Sequence, residues 1–303
     1  MDSIQFTCNA SQSSCLTPSD DPIALLVKES EKQQFSTETS LERSLDHRRQ
    51  ALYQGQTGDQ YLVFTSIPAE QYFRLSDDRS RTRKYVRLLY NSETRILIAK
   101  VMPNPAHEFT VRSFDSLISG ALHAMGVEND VWNLGSTTVT IGAWKKEADC
   151  CWATAPTTAS LSLVVEVGLS ESASRLALDA RSWLETQVSS VQLVITITIK
   201  RNAPEIVLQR WELVPRQYGA RTRLSPLSAR PTATLKLSRV NDATMITGES
   251  ELNAILAAIT HLELSFEKVV GRAPHRPGER DLVISEQQLR NFAERIWRIQ
   301  SIL

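Results

Sequence analysis

Residues 161–167 read LSLVVEV, an apolar run of the kind that forms a strand covered on both faces. A strand like this belongs inside a sheet with packing layers above and below it. Glu166 stands within the run. A carboxylate in an apolar interior is costly, so it takes up a proton, pairs with a cation or binds a metal. The rest of the chain has to supply that partner.

The chain has 303 residues, enough for one large domain or two small ones with a substantial core. Lys and Arg balance Asp and Glu at 34 each, so net charge neither points to nor excludes a polyanionic partner. The distribution is uneven. Residues 1–60 are acidic, whereas 201–239 carry eight Arg or Lys against Glu205 and Glu212. That stretch reads either as a surface for phosphates or as an ordinary solvated basic face. Cys8, Cys15, Cys150 and Cys151 form neither a disulfide framework nor a zinc-ligand pattern. The start of the chain has no apolar signal segment, and no run approaches the ~20 apolar residues needed to cross a bilayer. The expectation is a soluble, intracellular protein without a membrane partner; cytoplasm and nucleus are not distinguished.

Three regions are expected. Residues 1–57, rich in Ser, Gln, Thr and acids, read as a largely disordered tail with one transient helix around 38–53. Residues 58–245 read as an α/β domain with a mixed central β-sheet flanked by helices. Residues 246–303 read as a C-terminal extension ending in a helix, whose start Ser285 and Gln288 mark by capping-box spacing. Within the domain, KYVRLLYN and RILIAKVM form a hairpin. A helix of about 106–125 follows from the spacing of Val111, Phe114, Leu117, Ile118, Leu122 and Met125. Then come strands at 131–141 and within 144–152, the LSLVVEV strand, and a helix capped by Ser170 or Ser172. The strand VQLVITITIK pairs with EIVLQRWEL. Trp132, Trp152, Trp183 and Trp211 read as core or rim anchors.

Glu108 near a helix start, Asp149 on a strand and Glu166 on the next strand form an ordered acidic trio. On neighbouring strands Asp149 and Glu166 can approach to about 5 Å, where each repels the other unless a cation lies between. Hard divalent ions such as Mg²⁺ or Mn²⁺ suit such an oxygen-rich setting. Each residue also has an ordinary reading. Glu166 can pair with Arg175 or Arg181, Asp149 can be a turn residue beside Lys145 and Lys146, and Glu108 can simply favour a first helical turn. His107 reads as an exposed histidine at a helix start.

The succession PAHEF, GSTT, KKEADCCW, VVEVGLSES, DARSWL, ITITI and RWEL resembles the PD-(D/E)XK nuclease superfamily, and within it a divergent branch of fungal proteins. The resemblance covers roughly residues 85–213 and implies a restriction-endonuclease-like fold. It also implies Mg²⁺ or Mn²⁺ held by Asp149, Glu166, Glu108 and the Val167 carbonyl, and phosphodiester hydrolysis on DNA or RNA. The sequence departs from the family at the lysine. Gly168 stands two residues after Glu166, and Trp183 stands four after Asp179, where some branches place it. Lys145, Arg175, Arg181 and Lys200 are the cations available to replace it, with Lys145, Arg175 or Arg181 stabilising transition-state charge. Two functions therefore follow: a metal-dependent nuclease, or a nuclease fold that no longer cuts and serves as a binding or interaction module.

Overall fold

The structure, a computed structural model, describes residues 22–29, 32–77, 85–102, 105–158, 160–186, 188–215, 227–252 and 255–302. The chain begins with α1 (Pro22–Glu29), β1 (Lys32–Gln34), α2 (Glu38–Tyr53), β2 (Tyr61–Thr65) and α3 (Ala69–Asp77). The hairpin β3 (Val86–Asn91) and β4 (Ile96–Val101) precedes α4 (Pro105–Ala124). Four short strands follow: β5 (Val131–Gly135), β6 (Thr138–Ile141), β7 (Trp144–Glu147) and β8 (Cys150–Thr154). The central unit is β9 (Leu161–Leu169), α5 (Ala173–Glu185) and β10 (Leu193–Ile199). Next come β11 (Glu205–Pro215), β12 (Leu227–Val240), β13 (Ala243–Leu252) and β14 (Ile255–Ala258). The last elements are β15 (Leu262–Leu264), α6 (Phe266–Val270), β16 (Leu282–Ile284) and α7 (Glu286–Ile299).

The class is mixed α/β, with two large mixed sheets and a separate two-stranded pair, β15 with β16. One has the order β1-β2-β4-β3-β7-β6 and the other β14-β13-β12-β11-β10-β9-β8-β5. Strands β9 and β10 run parallel, joined by α5, while β8 lies antiparallel on the other side of β9. All nine residues of β9 are buried, as its apolar run requires. Its Leu163, Val165 and Val167 pack with Phe114 and Ile118 of α4 and with Phe292, Ile296 and Trp297 of α7. Its Val164 packs on the opposite side with Ala180, Trp183 and Leu184 of α5.

The expected strand over 131–141 divides at a turn. Its first half, β5, joins the eight-stranded sheet and its second half, β6, joins the other. The same division separates β7 from β8, so the chain passes from one sheet to the other at Ala148–Asp149. Gln60 fastens the two sheets together at this level. Its Nε2 donates to the Val101 carbonyl at 3.2 Å, and its Oε1 accepts from Leu169 N–H at 2.7 Å. Ser172 does not cap α5 with its side chain. Its hydroxyl donates to the Gly58 carbonyl at 2.7 Å and accepts from Gln60 N–H at 3.3 Å.

Two expected boundaries change. Residues 22–57 are not a tail: α1 buries Ile23 and Leu26 against Tyr61, Val63, Leu89 and Ile98, and α2 buries Leu41, Leu45 and Leu52 against the other face of the same sheet. The polar composition hid these apolar positions because α2 is exposed on most of its circumference. Residues 1–21 lie outside the described residues. At the other end, residue 245 falls inside β13, and α7 shares the core of β9 and β10. The capping box of Ser285 and Gln288 is present. Residues 227–232, despite Pro231, belong to strand β12, and 216–226 lie outside the described residues.

A chain ended at residue 245 is therefore expected not to fold, since it lacks Phe292, Ile296 and Trp297 from that core. Thermal melting followed by circular dichroism checks this; a cooperative transition in the shortened chain would restore the boundary at 245.

Candidate functional site

Strand register brings the two central acids together. Cys150 pairs with Val165 in the antiparallel β8–β9 ladder, so Asp149 lies opposite Glu166. Instead of continuing the ladder, the Asp149 carboxylate accepts from Val167 N–H at 2.9 Å. The partner of both acids is Lys100 of β4. Its Nζ lies 2.7 Å from Asp149 Oδ2 and 2.7 Å from Glu166 Oε2. Alternation along β4 sends Leu97, Ala99 and Val101 into the α2 side of their sheet. Ile98 and Lys100 are left on the side that faces the second sheet.

The remaining contacts close the centre. His107 Nε2 is 3.2 Å from Asp149 Oδ2 and 3.2 Å from the Val167 carbonyl. The Trp183 indole N–H donates to Glu166 Oε1 at 2.8 Å. Arg87 Nε faces Asp149 Oδ1 at 3.5 Å, and another nitrogen of the same guanidinium reaches Glu108 at 3.3 Å. A second buried lysine, Lys146, pairs with Asp179 Oδ1 at 2.6 Å, also bonds Ser182, and lies 4.1 Å over the Trp183 ring. Side-chain exposure is 0% for Asp149, 1% for Glu166 and 5% for Lys100, rising only at Glu108, 36%. Beside Lys100 is a cavity of about 20 Å³ lined by Leu26, Tyr61, Arg87 and Lys146, among others, room for about one water.

Burial alone would pull the Lys100 ammonium down; Asp149 and then Glu166 outweigh it and hold Lys100 well above the ordinary lysine value. Burial pushes Asp149 up, but Lys100 and then His107 hold it well below the usual carboxylate range. For His107, the charge of Asp149 and the hydrogen bond to it overcome burial, so the imidazole is raised. Burial, then Asp179, push Glu166 up to about 8 against the lowering influence of Lys100. The charge count explains these directions. Glu108, Glu147, Asp149, Glu166 and Asp179 face three permanent cations, Arg87, Lys100 and Lys146. This excess of acids over cations raises the affinity of His107 and Glu166 for a proton, as it does that of Lys100 and Arg87.

The convergence of Asp149 and Glu166 is as expected, but the cations named for them are elsewhere. Lys145 Nζ sits 4.0 Å over the Phe73 ring. The chain changes sheets between Glu147 and Cys150, which breaks the strand period of two between Lys145 and Asp149. Arg175 reaches Asp59 at 3.5 Å, and Arg181 pairs with Glu185 at 2.9 Å. Lys200 faces Glu205 at 3.7 Å. Nor is His107 exposed: it is 4% exposed and sits within the centre. The basic stretch 201–239 is also largely spoken for among the described residues. Arg210 pairs with Glu212, Arg230 with Glu251, Lys236 with Glu205 and Arg239 with Asp242.

No protein-family model matches the chain, and comparison with curated proteins returns no match. Among solved structures the chain is similar to a protein of Anabaena variabilis described as "a putative nuclease belonging to DUF820". The TM-score is 0.33 at 13% identity, covering 48% of this chain and 79% of that one.

Replacing Lys100 by Ala leaves two buried carboxylates facing each other. It is expected to cost roughly 3–5 kcal/mol of stability, the usual penalty for breaking a buried pair from one side, read from urea unfolding. A pH dependence follows from the two raised groups. Native Glu166 and His107 hold protons that the unfolded chain releases near 4.5 and 6.5. Their stabilisation is thus complete below those values and is lost as pH rises through the higher folded-state values, for Glu166 about 8. Asp149 acts oppositely, and only as pH falls below 3.8. Urea midpoints are therefore expected to decline between pH 5 and pH 9, and Glu166→Gln with His107→Gln is expected to flatten that decline.

Proposed function

We propose that this chain keeps the acidic pair of a nuclease-like fold as a closed ion-pair centre, and that it acts by binding rather than by cutting. One observation carries the reading: the Lys100 ammonium lies between Asp149 and Glu166, within hydrogen-bond distance of both. A Mg²⁺ or Mn²⁺ ion at that position needs carboxylate oxygens and waters around it at short range. Most of the oxygens assigned to such an ion already have protein donors, and Asp149 Oδ1, which makes no hydrogen bond among the described residues, faces the Arg87 cation at 3.5 Å. Asp149 Oδ2 accepts from Lys100 and Val167 N–H; Glu166 accepts from Lys100 and Trp183; Glu108 meets Arg87; the Val167 carbonyl meets His107. Among the described residues no group of three or more His, Cys, Asp or Glu side chains is arranged to hold a metal. The residues present do not fit the ion, and burial leaves no approach for a phosphodiester.

The same trio supports a second reading. Asp149, Glu166 and Lys100 together are the acid, acid and ammonium that the family resemblance calls for, with the lysine delivered from β4. Hydrolysis on that reading requires Lys100 to leave both acids so that a metal can enter.

Melting of the full chain with and without millimolar Mn²⁺ separates the two. A closed centre gains no stability from the ion, whereas a live site gains RT ln(1 + [L]/Kd). The expected outcome is an unchanged melting temperature and no cleavage of single- or double-stranded DNA or RNA. Mn²⁺-linked stabilisation together with cleavage that is lost in Asp149→Ala would overturn the proposal in favour of the nuclease.

A further inference from the structure

If the chain acts by binding, as proposed above, its first helix points to the kind of partner. Helix α1 has eight residues, fewer than a helix needs to persist in water without tertiary support. Ile23, Leu26 and Val27 hold it in place, the i, i+3, i+4 spacing by which a helix lays one face into an apolar groove. Tyr61 and Val63 of β2, Leu89 of β3 and Ile98 of β4 form the floor, and Leu178 of α5 packs against the same cluster. That floor is paired without α1, since β2, β4 and β3 are bonded neighbours in one sheet whose opposite face carries α2.

The seat is imperfect beneath Leu26. The cavity of about 20 Å³ beside Lys100 is lined by Leu26 together with Tyr61, Lys146 and Asp179. Tyr61 is 2% exposed, and its hydroxyl finds no hydrogen-bond partner among the described residues. A buried hydroxyl ordinarily has a partner, and a leucine side chain has none to offer. A glutamine at the place of Leu26 carries both a donor and an acceptor. A helix with glutamine there meets chemistry that α1 leaves unmet.

We infer that α1 is an autoinhibitory occupant of a helix-binding groove, and that the partner is an amphipathic helix of another protein with apolar residues at i and i+4 and glutamine at i+3. While α1 is docked, only molecules in which it has lifted away offer the groove. The partner's affinity is reduced by that fraction.

The test uses two labelled peptides, residues 20–31 of this chain and the same peptide with Leu26→Gln, titrated with the full chain and followed by fluorescence anisotropy. The native chain is expected to bind both weakly. The chain carrying Leu26→Ala is expected to bind them about thirtyfold more tightly or better, the scale on which a lost leucine side chain frees its seat. Ala24→Gly in the chain weakens the helix through its backbone and keeps all three anchors, with an expected gain of about fivefold. Melting curves establish that the variants fold, and Ala24→Gly carries the test if Leu26→Ala does not. The Leu26→Gln peptide is expected to bind the variants more tightly than the parent peptide does. Equal binding by native and variant chains overturns autoinhibition, and no binding by folded variants overturns the groove. A parent peptide that binds as tightly as the Leu26→Gln peptide overturns the glutamine assignment. A native dimer in sedimentation that Leu26→Ala abolishes assigns the groove to a second copy and overturns the foreign partner. None of these outcomes bears on the closed centre, which the Mn²⁺ experiment decides separately.

Discussion

One ammonium group holds the middle of this protein together. Lys100 belongs to the six-stranded sheet, and the two acids it meets belong to or adjoin the eight-stranded one. The contact is therefore both an ion pair and a joint between sheets. Its geometry depends on backbone features on either side. Gln60 bonds β4 through the Val101 carbonyl and β9 through Leu169 N–H, which places Lys100 level with Glu166. The passage of the chain from β7 to β8 at Ala148–Asp149 supplies the second acid at the same level. A buried pair of this kind is not automatically stabilising, because desolvation of each charge opposes the attraction between them. Here Val167 N–H, Trp183 and His107 add further partners to the two acids, while Asp149 Oδ1 makes no hydrogen bond among the described residues and faces Arg87 at 3.5 Å.

That closure decides the chemistry. Two convergent carboxylates are suited to a divalent ion only while their oxygens are free to coordinate it. With an ammonium between them and a ring nitrogen, an indole and an amide on their other lone pairs, they are instead the acceptors of a hydrogen-bond network. The network is short of positive charge, which raises the affinity of His107 and Glu166 for a proton. On the proposed reading, Asp149 and Glu166 keep two sheets in register rather than hold a metal. Glu108, which meets Arg87, is the more exposed edge of the centre.

Much of this was legible in the sequence. The apolar run with a glutamate inside marked the central strand. The order of elements placed Asp149 on its neighbour, and the spacing of Val111, Phe114 and Ile118 marked the covering helix. Lys100 was not legible. It occurs in RILIAKVM, where alternation assigns it to the opposite face from Leu97 and Ala99, and a lysine on that face ordinarily reads as solvent-facing. Only the packing of a second sheet against that face turns it inward. His107 escaped for a related reason: a histidine at a helix start is normally exposed, and this one is covered because α4 begins beside the end of β9. Lys145 was one of several cations considered, and it is its neighbour Lys146 that turns toward α5.

Positions 168 and 183, beside Glu166 on its own strand and on the following helix, show why the cation comes from β4. At 168 a side chain would be tight: a Cβ there would lie 3.2 Å from a Leu176 methyl and 3.4 Å from Gln60 Oε1. The glutamine that joins the sheets lies against this position. At 183 the residue is tryptophan, and its indole N–H donates to Glu166. It supplies a neutral donor where an ammonium would bring charge, and its ring face carries Lys146 on the other side. With a glycine at one position and at the other a donor that cannot balance a carboxylate, Glu166 takes its cation from outside its own strand and helix. The facing sheet presents one, Lys100. A lysine recruited in this way is anchored by the fold it anchors, because the two acids that hold it also tie β4 to β9 and the start of β8.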